Sequence, residues 1–179
     1  EAQDAYRQVL HLAPDFVPAY FNLGTLLDNA ADLAGAESCY RQVLQLEPAH
    51  VQANYNLGCI FQQRGRHADA EKYFRQVLAQ AAGHADALHK LGLVRKEQGA
   101  LDEAEASFAA ALAQQPDNIA YLNSLGLLLA DSQRLDEAER HLRHAVALDD
   151  SIADSLGNLG YVLNAQQRFV EAEVVLRRA

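Results

Sequence analysis

Methionine and tryptophan are absent from the sequence, and cysteine occurs only twice in 179 residues. Cys39 and Cys59 are too few for a disulfide framework, and neither has the nearby cysteines or histidines that a zinc site requires. We interpret both as small residues of a core or a groove. Because the sequence starts at Glu1 and has no methionine, we expect it to be part of a longer chain.

The sequence also lacks a surplus of positive charge and a long apolar run. Its 15 Lys and Arg against 24 Asp and Glu give a net charge of −9, which argues against nucleic-acid or anionic-membrane binding because both need a cationic surface. No stretch approaches the roughly 20 apolar residues of a membrane-spanning helix, and residues 1–10 do not resemble a signal peptide. Half of the residues are hydrophobic, as in a folded protein. We expect a cytoplasmic location, with which the scarcity of cysteine is compatible, and a partner with basic residues.

A repeat with a period of 34 residues runs through the sequence. Its clearest mark is a Leu-Gly pair, found at Leu23-Gly24, Leu57-Gly58, Leu91-Gly92, Leu125-Gly126 and Leu159-Gly160. Twelve residues after each glycine stands an alanine followed by a glutamate, at Ala36-Glu37, Ala70-Glu71, Ala104-Glu105, Ala138-Glu139 and Ala172-Glu173. Four residues after each alanine comes a large apolar residue: Tyr40, Phe74, Phe108, Leu142 and Leu176.

Each repeat is predicted to hold two amphipathic helices, because its apolar residues recur at intervals of three and four. Gly65 and Gly99 stand where a first helix must end, and glycine suits the left-handed backbone found there. Pro-Asp pairs at 14–15 and 116–117 are predicted to end a second helix and to cap the next first helix with the aspartate. A glycine inside a helix costs about 1 kcal/mol. We therefore expect the Leu-Gly glycine to allow close approach of the two helices. We expect the small alanine of each Ala-Glu pair to allow the same close approach from the second helix.

This pattern resembles the tetratricopeptide repeat, a 34-residue helix-turn-helix unit with Leu-Gly, a small alanine, an aromatic residue and a proline near its end. The resemblance implies an all-α fold, a right-handed superhelical solenoid of antiparallel helix pairs with eleven helices. Two departures are that the family's early aromatic residue is kept only as Tyr20 and that Ala82 and Asp150 replace the end proline. The resemblance covers all 179 residues as one array: a half repeat at 1–16, full repeats at 17–50, 51–84, 85–118 and 119–152, and an incomplete last repeat at 153–179.

In this family the first helix of each repeat lines a concave groove where partners bind. The resemblance places these candidate peptide-binding residues in the groove: Phe21, Asn22, Tyr55, Asn56, His89, Lys90, Asn123, Ser124, Asn158 and Tyr161. Asparagine side chains both donate and accept hydrogen bonds, so a column of them can hold the backbone of an extended peptide whatever its sequence. Aromatic side chains add contact area, and Lys90 adds a charged anchor. We predict a protein-protein interaction scaffold that binds an extended peptide or a partner protein in this groove.

The charge of the groove bears on its partner. Acidic groove residues outnumber Lys90 and Lys96, which disfavours the family's cationic clamp for a C-terminal carboxylate and favours a peptide with some Lys or Arg. The acidic residues are Asp28, Asp86, Glu97, Asp131 and Asp154.

Two alternative functions stay open at this point. The column of Asn22, Asn56 and Asn158 is similar to the asparagine ladder in the repeat arm of O-linked N-acetylglucosamine transferases, although Lys90 and Ser124 interrupt it. That similarity implies the substrate-recruiting arm of a larger enzyme, such as a glycosyltransferase. Alternatively, the incomplete repeats at the two ends would expose apolar surface, which predicts end-to-end self-association.

No catalytic residue, metal site or cofactor site is predicted. His141 and His144 lie one helical turn apart, but two ligands without a nearby third acid or thiol make a weak metal site. No glycine-rich phosphate loop occurs, because the glycines follow the repeat. We therefore predict that this segment is not itself catalytic.

Overall fold

A computed structural model describes all of residues 1–179, and every regular element in it is an α-helix. The chain divides into two compact units, Glu1–Ala82 and Gly83–Ala179. The first unit contains α1 (Ala2–Leu12), α2 (Val17–Asn29), α3 (Leu33–Leu46), α4 (Val51–Gln63) and α5 (His67–Gln80). The second contains α6 (Ala85–Glu97), α7 (Leu101–Gln114), α8 (Ile119–Asp131), α9 (Leu135–Leu148), α10 (Ala153–Ala165) and α11 (Phe169–Leu176).

The structure keeps the period of the sequence. The first helices α2, α4, α6, α8 and α10 start at residues 17, 51, 85, 119 and 153, each 34 residues after the one before. The predicted all-α fold and its eleven helices are confirmed. The boundary between the two units follows Ala82, which stands where earlier and later repeats have Pro14, Pro48 and Pro116. The assignment of all residues to one array stays a prediction.

Within each helix pair, the glycine of the Leu-Gly pair faces the large residue of the second helix. A Cβ atom on Gly92 would lie 2.6 Å from the ring of Phe108, and one on Gly58 would lie 2.6 Å from the ring of Phe74. The close approach that the sequence predicts is therefore between the backbone of the first helix and a side chain of the second. The facing residue is an aromatic ring in three of the five pairs and a leucine in the other two.

The apolar faces of the helices form the core of each unit. In the first unit the core contains Leu23, Tyr40, Val43, Leu57, Ile60, Phe61, Phe74 and Val77, all buried. In the second unit it contains Phe108, Leu125, Leu128, Leu129, Leu142, Leu159, Val162 and Leu163. The longest helices have 14 residues, and no helix combines the length and the apolar character that crossing a membrane requires.

The turn inside each repeat uses the left-handed backbone conformation. Gly65 has φ 67° and Gly99 has φ 80°, as the sequence predicts. The other three turns place Ala31, Gln133 and Gln167 in the same conformation, with φ of 59°, 63° and 63°. The turn geometry is thus kept even where the residue has a Cβ atom, which raises its energy in this conformation.

The prediction that Asp15 and Asp117 cap first helices is wrong. The residue directly before a helix provides its cap, and here that residue comes one position after the Pro-Asp pair. Asn118 Oδ1 accepts from the backbone N–H of Tyr121 at 3.3 Å, and α2 begins after Phe16 without a side-chain cap. His50 and His84 cap α4 and α6 in the same way, each through Nδ1 at 3.2 Å.

Ion pairs on the second helices join consecutive repeats. Glu139 accepts from Arg143 in its own helix at 2.8 Å and from Arg168 of the next turn at 2.7 Å. Arg134 bridges Glu105 and Glu137 in a similar manner. Ion pairs between residues four apart on one second helix are also present at Glu37–Arg41, Glu71–Arg75 and Glu173–Arg177.

Candidate peptide-binding face

In the first unit, the aromatic candidates lie against the second helices. The ring of Phe21 contacts the rings of Tyr40 and His50, with centroids 5.9 and 5.1 Å apart, and the ring of Tyr55 lies 5.9 Å from that of Phe74. Both side chains are half-buried. Each therefore presents only part of its ring to a ligand.

The two asparagines of the first unit differ in their surroundings. Asn22 is exposed, whereas Asn56 is half-buried beside the hydroxyl of Tyr40. That hydroxyl donates to Thr25 Oγ1 at 3.4 Å, and burial raises the pKa of Tyr40. Asn22 is therefore the more accessible of the two asparagines.

In the second unit, polar side chains link α6 to α8. The hydroxyl of Tyr121 donates to Asp86 Oδ1 at 2.5 Å, and His89 Nε2 lies 2.8 Å from Ser124 Oγ. One turn further along, Lys96 Nζ donates to Asp131 Oδ2 at 2.9 Å. Each contact joins residues 35 positions apart. Nearly equivalent positions of α6 and α8 therefore lie next to each other.

A further side-chain hydrogen bond links α8 to α10. Asn123 Nδ2 donates to Ser155 Oγ at 2.8 Å. The Oδ1 atom of Asn123 is buried and accepts no hydrogen bond from the protein. We refer to the bonded set as the polar ladder; it consists of Asp86–Tyr121, His89–Ser124, Lys96–Asp131 and Asn123–Ser155.

His89 is held neutral by its surroundings. Its ring centroid lies 4.6 Å from that of Tyr121 and 5.5 Å from that of Phe108. Burial and, to a smaller extent, the charge of Lys90 lower the pKa of His89 to about 4, although Asp86 opposes the shift. In its neutral form the ring has one donor and one acceptor nitrogen, so at neutral pH His89 acts as a hydrogen-bonding group within the ladder.

Three candidates of the second unit keep their binding groups for a ligand. Lys90 forms no ion pair, and Asn158 forms no side-chain hydrogen bond within the chain; both are half-buried. Tyr161 is 51% exposed. Beside them, the space above Gly157 is open, since no atom lies within 4 Å of where its Cβ would be.

The acidic residues of this face are less available than the sequence implies. Asp86 accepts from Tyr121 and Asp131 from Lys96, so two acids and one cation are already engaged. Asp154, in the first turn of α10, is exposed and belongs to no ion pair. The bond from the neutral Tyr121 hydroxyl leaves the charge of Asp86 uncompensated. Lys90, Asp86 and Asp154 are therefore the charged side chains among these that have no ion-pair partner.

Sequence reasoning missed Tyr121. In the other repeats its column holds small residues, namely Ala19, Ala53, Ala87 and Ser155. A tyrosine in a column of small residues is an outlier that signals a special contact. Its hydroxyl reaches Asp86 of the preceding first helix, and burial followed by the hydrogen bond from this carboxylate raises the pKa of Tyr121.

The two histidines of α9, His141 and His144, differ in their surroundings. His144 Nε2 lies 3.1 Å from Asp117 Oδ1. Burial lowers the pKa of His141. No three or more His, Cys, Asp or Glu side chains lie close enough to hold a metal ion together.

Comparison with known proteins supports the repeat assignment. The model of one family, described as the tetratricopeptide repeat, matches residues 21–85, 55–119, 89–151 and 123–179. No curated protein sequence matches the chain.

Solved structures share the fold at low sequence identity. MamA residues 41-end from Desulfovibrio magneticus RS-1 is 18% identical, with a TM-score of 0.83 over 90% of this chain and 92% of that one. PilF of Pseudomonas aeruginosa is 19% identical, with a TM-score of 0.80 over 99% and 77% of the two chains. YrrB, described as a TPR protein with an unusual peptide-binding site, is 20% identical, with a TM-score of 0.80 over 98% and 91%. The repeats, the helix pairs and the family match agree, and the chain belongs to the tetratricopeptide repeat family.

Proposed function

We propose that the chain is a protein-interaction module that binds an extended segment of a partner protein on the face of its first helices. In the second unit this face is formed by α6, α8 and α10. The proposal is carried by the polar ladder, which fixes these three helices through side chains on one face and leaves Lys90, Asn158 and Tyr161 without internal partners. A surface that is ordered before binding loses less conformational entropy on binding.

The ligand groups follow from the available side chains. Asn158 can donate to and accept from a peptide backbone, and the half-exposed ring of Tyr161 offers apolar contact beside the open space above Gly157. Asp154 and the net charge of −9 favour a peptide with Lys or Arg. We expect a basic side chain of the peptide near Asp154 and a peptide carbonyl or carboxylate near Lys90.

A phage-displayed library of random peptides tests this function without a known partner. We expect selection on the wild-type chain to enrich peptides with basic residues. Their affinity should fall by about tenfold or more when Lys90, Asn158 and Tyr161 are changed together to Ala, since each loses a direct contact. Binding is measured by isothermal titration calorimetry with the enriched peptides.

Arg140→Ala is the matched control, because Arg140 is an exposed cation on a second helix of the same unit. It should leave peptide affinity unchanged. Equal binding by the triple variant and the wild type, with helix content preserved in both, would exclude the first-helix face as the binding site.

End-to-end self-association is a second candidate. It is favoured by the exposure of Leu12 and Phe16, 85% and 48%, at and after the end of α1. Light scattering of the Leu12→Asp variant tests it, since a charge at this position should abolish any such assembly. The alternative of a recruiting arm of a larger enzyme stays a prediction from the sequence.

A further inference from the structure

Asp28, in the last turn of α2, is a half-buried carboxylate without a partner. Its side chain forms no hydrogen bond and no ion pair within the chain. Burial raises the pKa of Asp28, and no cation of the chain opposes this shift. A carboxylate that is partly removed from water without a counter-charge is destabilised in its charged form. A cation supplied by a ligand would stabilise it.

The hydroxyl groups beside Asp28 direct their protons away from it. The hydroxyl of Tyr40 donates to Thr25 Oγ1 at 3.4 Å, and Thr25 Oγ1 donates to the backbone carbonyl of Phe21 at 3.1 Å. The charge of Asp28 contributes to the raised pKa of Tyr40, so the phenol and the carboxylate lie near each other. Because both hydroxyl protons are used in this chain of bonds, neither is left for the carboxylate.

The second unit shows what this position of a first helix can hold. Asp28 occupies in α2 the position that Lys96 occupies in α6, two repeats later. There Lys96 Nζ donates to Asp131 Oδ2 of the next first helix at 2.9 Å. The counterpart of Asp131 in the first unit is Gln63, which is exposed and uncharged. The first unit therefore has an acid where the second has a base, and it has no counter-charge.

We propose that Asp28 binds the ammonium group of a lysine in the partner peptide. The ligand then supplies the cation of an ion pair that the second unit forms internally between Lys96 and Asp131. This assignment rests on the proposed function, and it extends the binding face to the first unit.

A lysine side chain suits the surroundings of Asp28. Its ammonium group is a compact charge on a flexible stem, so it can reach a single recessed carboxylate. The stem of a lysine also packs along apolar surface. Phe21, which is half-buried, precedes Asp28 by two helical turns and therefore lies on the same side of α2. Its ring offers apolar surface to the peptide next to the acid.

An NMR titration tests the proposal without a known partner. The probe is a pentapeptide with lysine between two glycines on each side, acetylated and amidated so that the lysine carries its only charge. Added at millimolar concentration, it should shift the backbone amide signals of α2 around Asp28 in a saturable manner. The same peptide with norleucine in place of lysine has a similar stem without the charge, and it should cause no such shift.

Variants of Asp28 identify the carboxylate as the binding group. Asp28→Asn keeps the size of the side chain and removes its charge, so the dissociation constant of the lysine peptide should rise by about tenfold or more. Helix content should stay unchanged, because no internal bond is lost. Asp28→Lys should reverse the preference, so that a peptide with glutamate in place of lysine binds instead. Asp15→Asn is the matched control, since Asp15 is an exposed acid before the opposite end of α2, and it should leave the affinity unchanged.

Two results overturn the proposal. One is the absence of lysine-specific shifts in α2 of the wild-type chain, including the case in which shifts occur only around Asp154 in α10. The other is a lysine affinity that Asp28→Asn leaves unchanged. Neither result bears on the proposed function, which is tested by peptide selection and by the triple variant of Lys90, Asn158 and Tyr161 in the second unit.

Discussion

At the scale of single residues, the face of the second unit is built by side chains that bind to one another. His89 and Ser124 come together from different helices, and so do Asn123 and Ser155. These contacts determine which of the candidate side chains are already engaged within the chain, whereas burial and the charge of Lys90 keep His89 neutral. The glycines show the same dependence on local surroundings, since Gly92 faces a ring and Gly157 faces open space.

Replacing Gly92 by alanine should destabilise the chain, whereas the same change at Gly157 should stabilise it. A Cβ atom on Gly92 would overlap Phe108 at 2.6 Å, and nothing lies near the corresponding point on Gly157. Overpacking costs about 1–3 kcal/mol, and alanine is favoured over glycine in a helix by about 1 kcal/mol. Urea unfolding monitored by circular dichroism measures both changes, and equal effects at the two positions would contradict this explanation.

Lowering the pH should destabilise the second unit through His89. The pKa of His89 is about 4 in the folded chain and 6.5 for an ordinary histidine. Above pH 6.5 both states are neutral and this residue contributes no pH dependence. Between pH 6.5 and about 4 the unfolded chain binds the proton more readily, so stability falls as the pH falls.

The variant His89→Gln keeps a side chain able to donate and accept hydrogen bonds but cannot take up the proton. We expect the difference in unfolding free energy between wild type and variant to shrink as the pH is lowered from 7 toward 4. The measurement is urea unfolding at several pH values. A difference independent of pH would show that His89 does not titrate as expected.

At the scale of helices and turns, the repeat imposes one geometry on different residues. The five turns inside the repeats share a left-handed residue, supplied by glycine in two and by Ala31, Gln133 and Gln167 in the others. The sequence predicts the turn where glycine is present, but an alanine or glutamine gives no local sign of this conformation. Only the register of the repeat identifies these residues as equivalent.

Ala31→Gly and Gln133→Gly should each stabilise the chain by about 0.5–1 kcal/mol, because the left-handed conformation is strained for residues with a Cβ atom. The reverse change, Gly65→Ala, should destabilise it by about 1 kcal/mol, and a Cβ atom there would meet no neighbour within 4 Å. Thermal unfolding measures all three. Stabilisation by Gly65→Ala would show that chain entropy outweighs backbone strain in these turns.

The ends of the helices show where sequence reasoning falls short. Helix starts follow the period of 34 residues, but caps depend on a single position directly before each helix. The Pro-Asp pairs point one residue too early, and the actual caps are His50, His84 and Asn118. Histidine is an uncommon cap, so its role at these positions becomes visible only when the distance from Nδ1 to the backbone N–H is known.

At the scale of the molecule, contacts are local along the chain. In the second unit the main contacts join helices that are consecutive in the sequence. Further contacts join the first helix α8 to the first helices α6 and α10. The period predicts this organisation, because each repeat must bury its apolar side against its neighbours. It does not predict the polar ladder, which depends on individual pairs such as Asp86 and Tyr121 that no other repeat contains.

Leu163→Ala should loosen the end of the second unit without opening its beginning. Leu163 is fully buried in the cluster that α10 shares with α8 and α9, and removing such a side chain costs about 2–5 kcal/mol. Amide hydrogen exchange should therefore show a large loss of protection in α10 and α11 and a small one in α6 and α7. A uniform loss over all of α6–α11 would mean that the unit unfolds as one cooperative block.

The pairing of each Leu-Gly glycine with a large residue also bears on how the repeats can diverge. Replacing the glycine by any larger residue makes its Cβ atom overlap the facing side chain. Replacing a ring by a smaller side chain instead leaves a gap that neighbouring atoms can partly fill. The repeats of this chain follow that asymmetry, since all five keep the glycine while the facing residue is Tyr40, Phe74, Phe108, Leu142 or Leu176. We therefore expect substitutions in such an array to be tolerated at the facing residue of the second helix and not at the glycine. The glycine then still identifies the repeat when the residues around it differ.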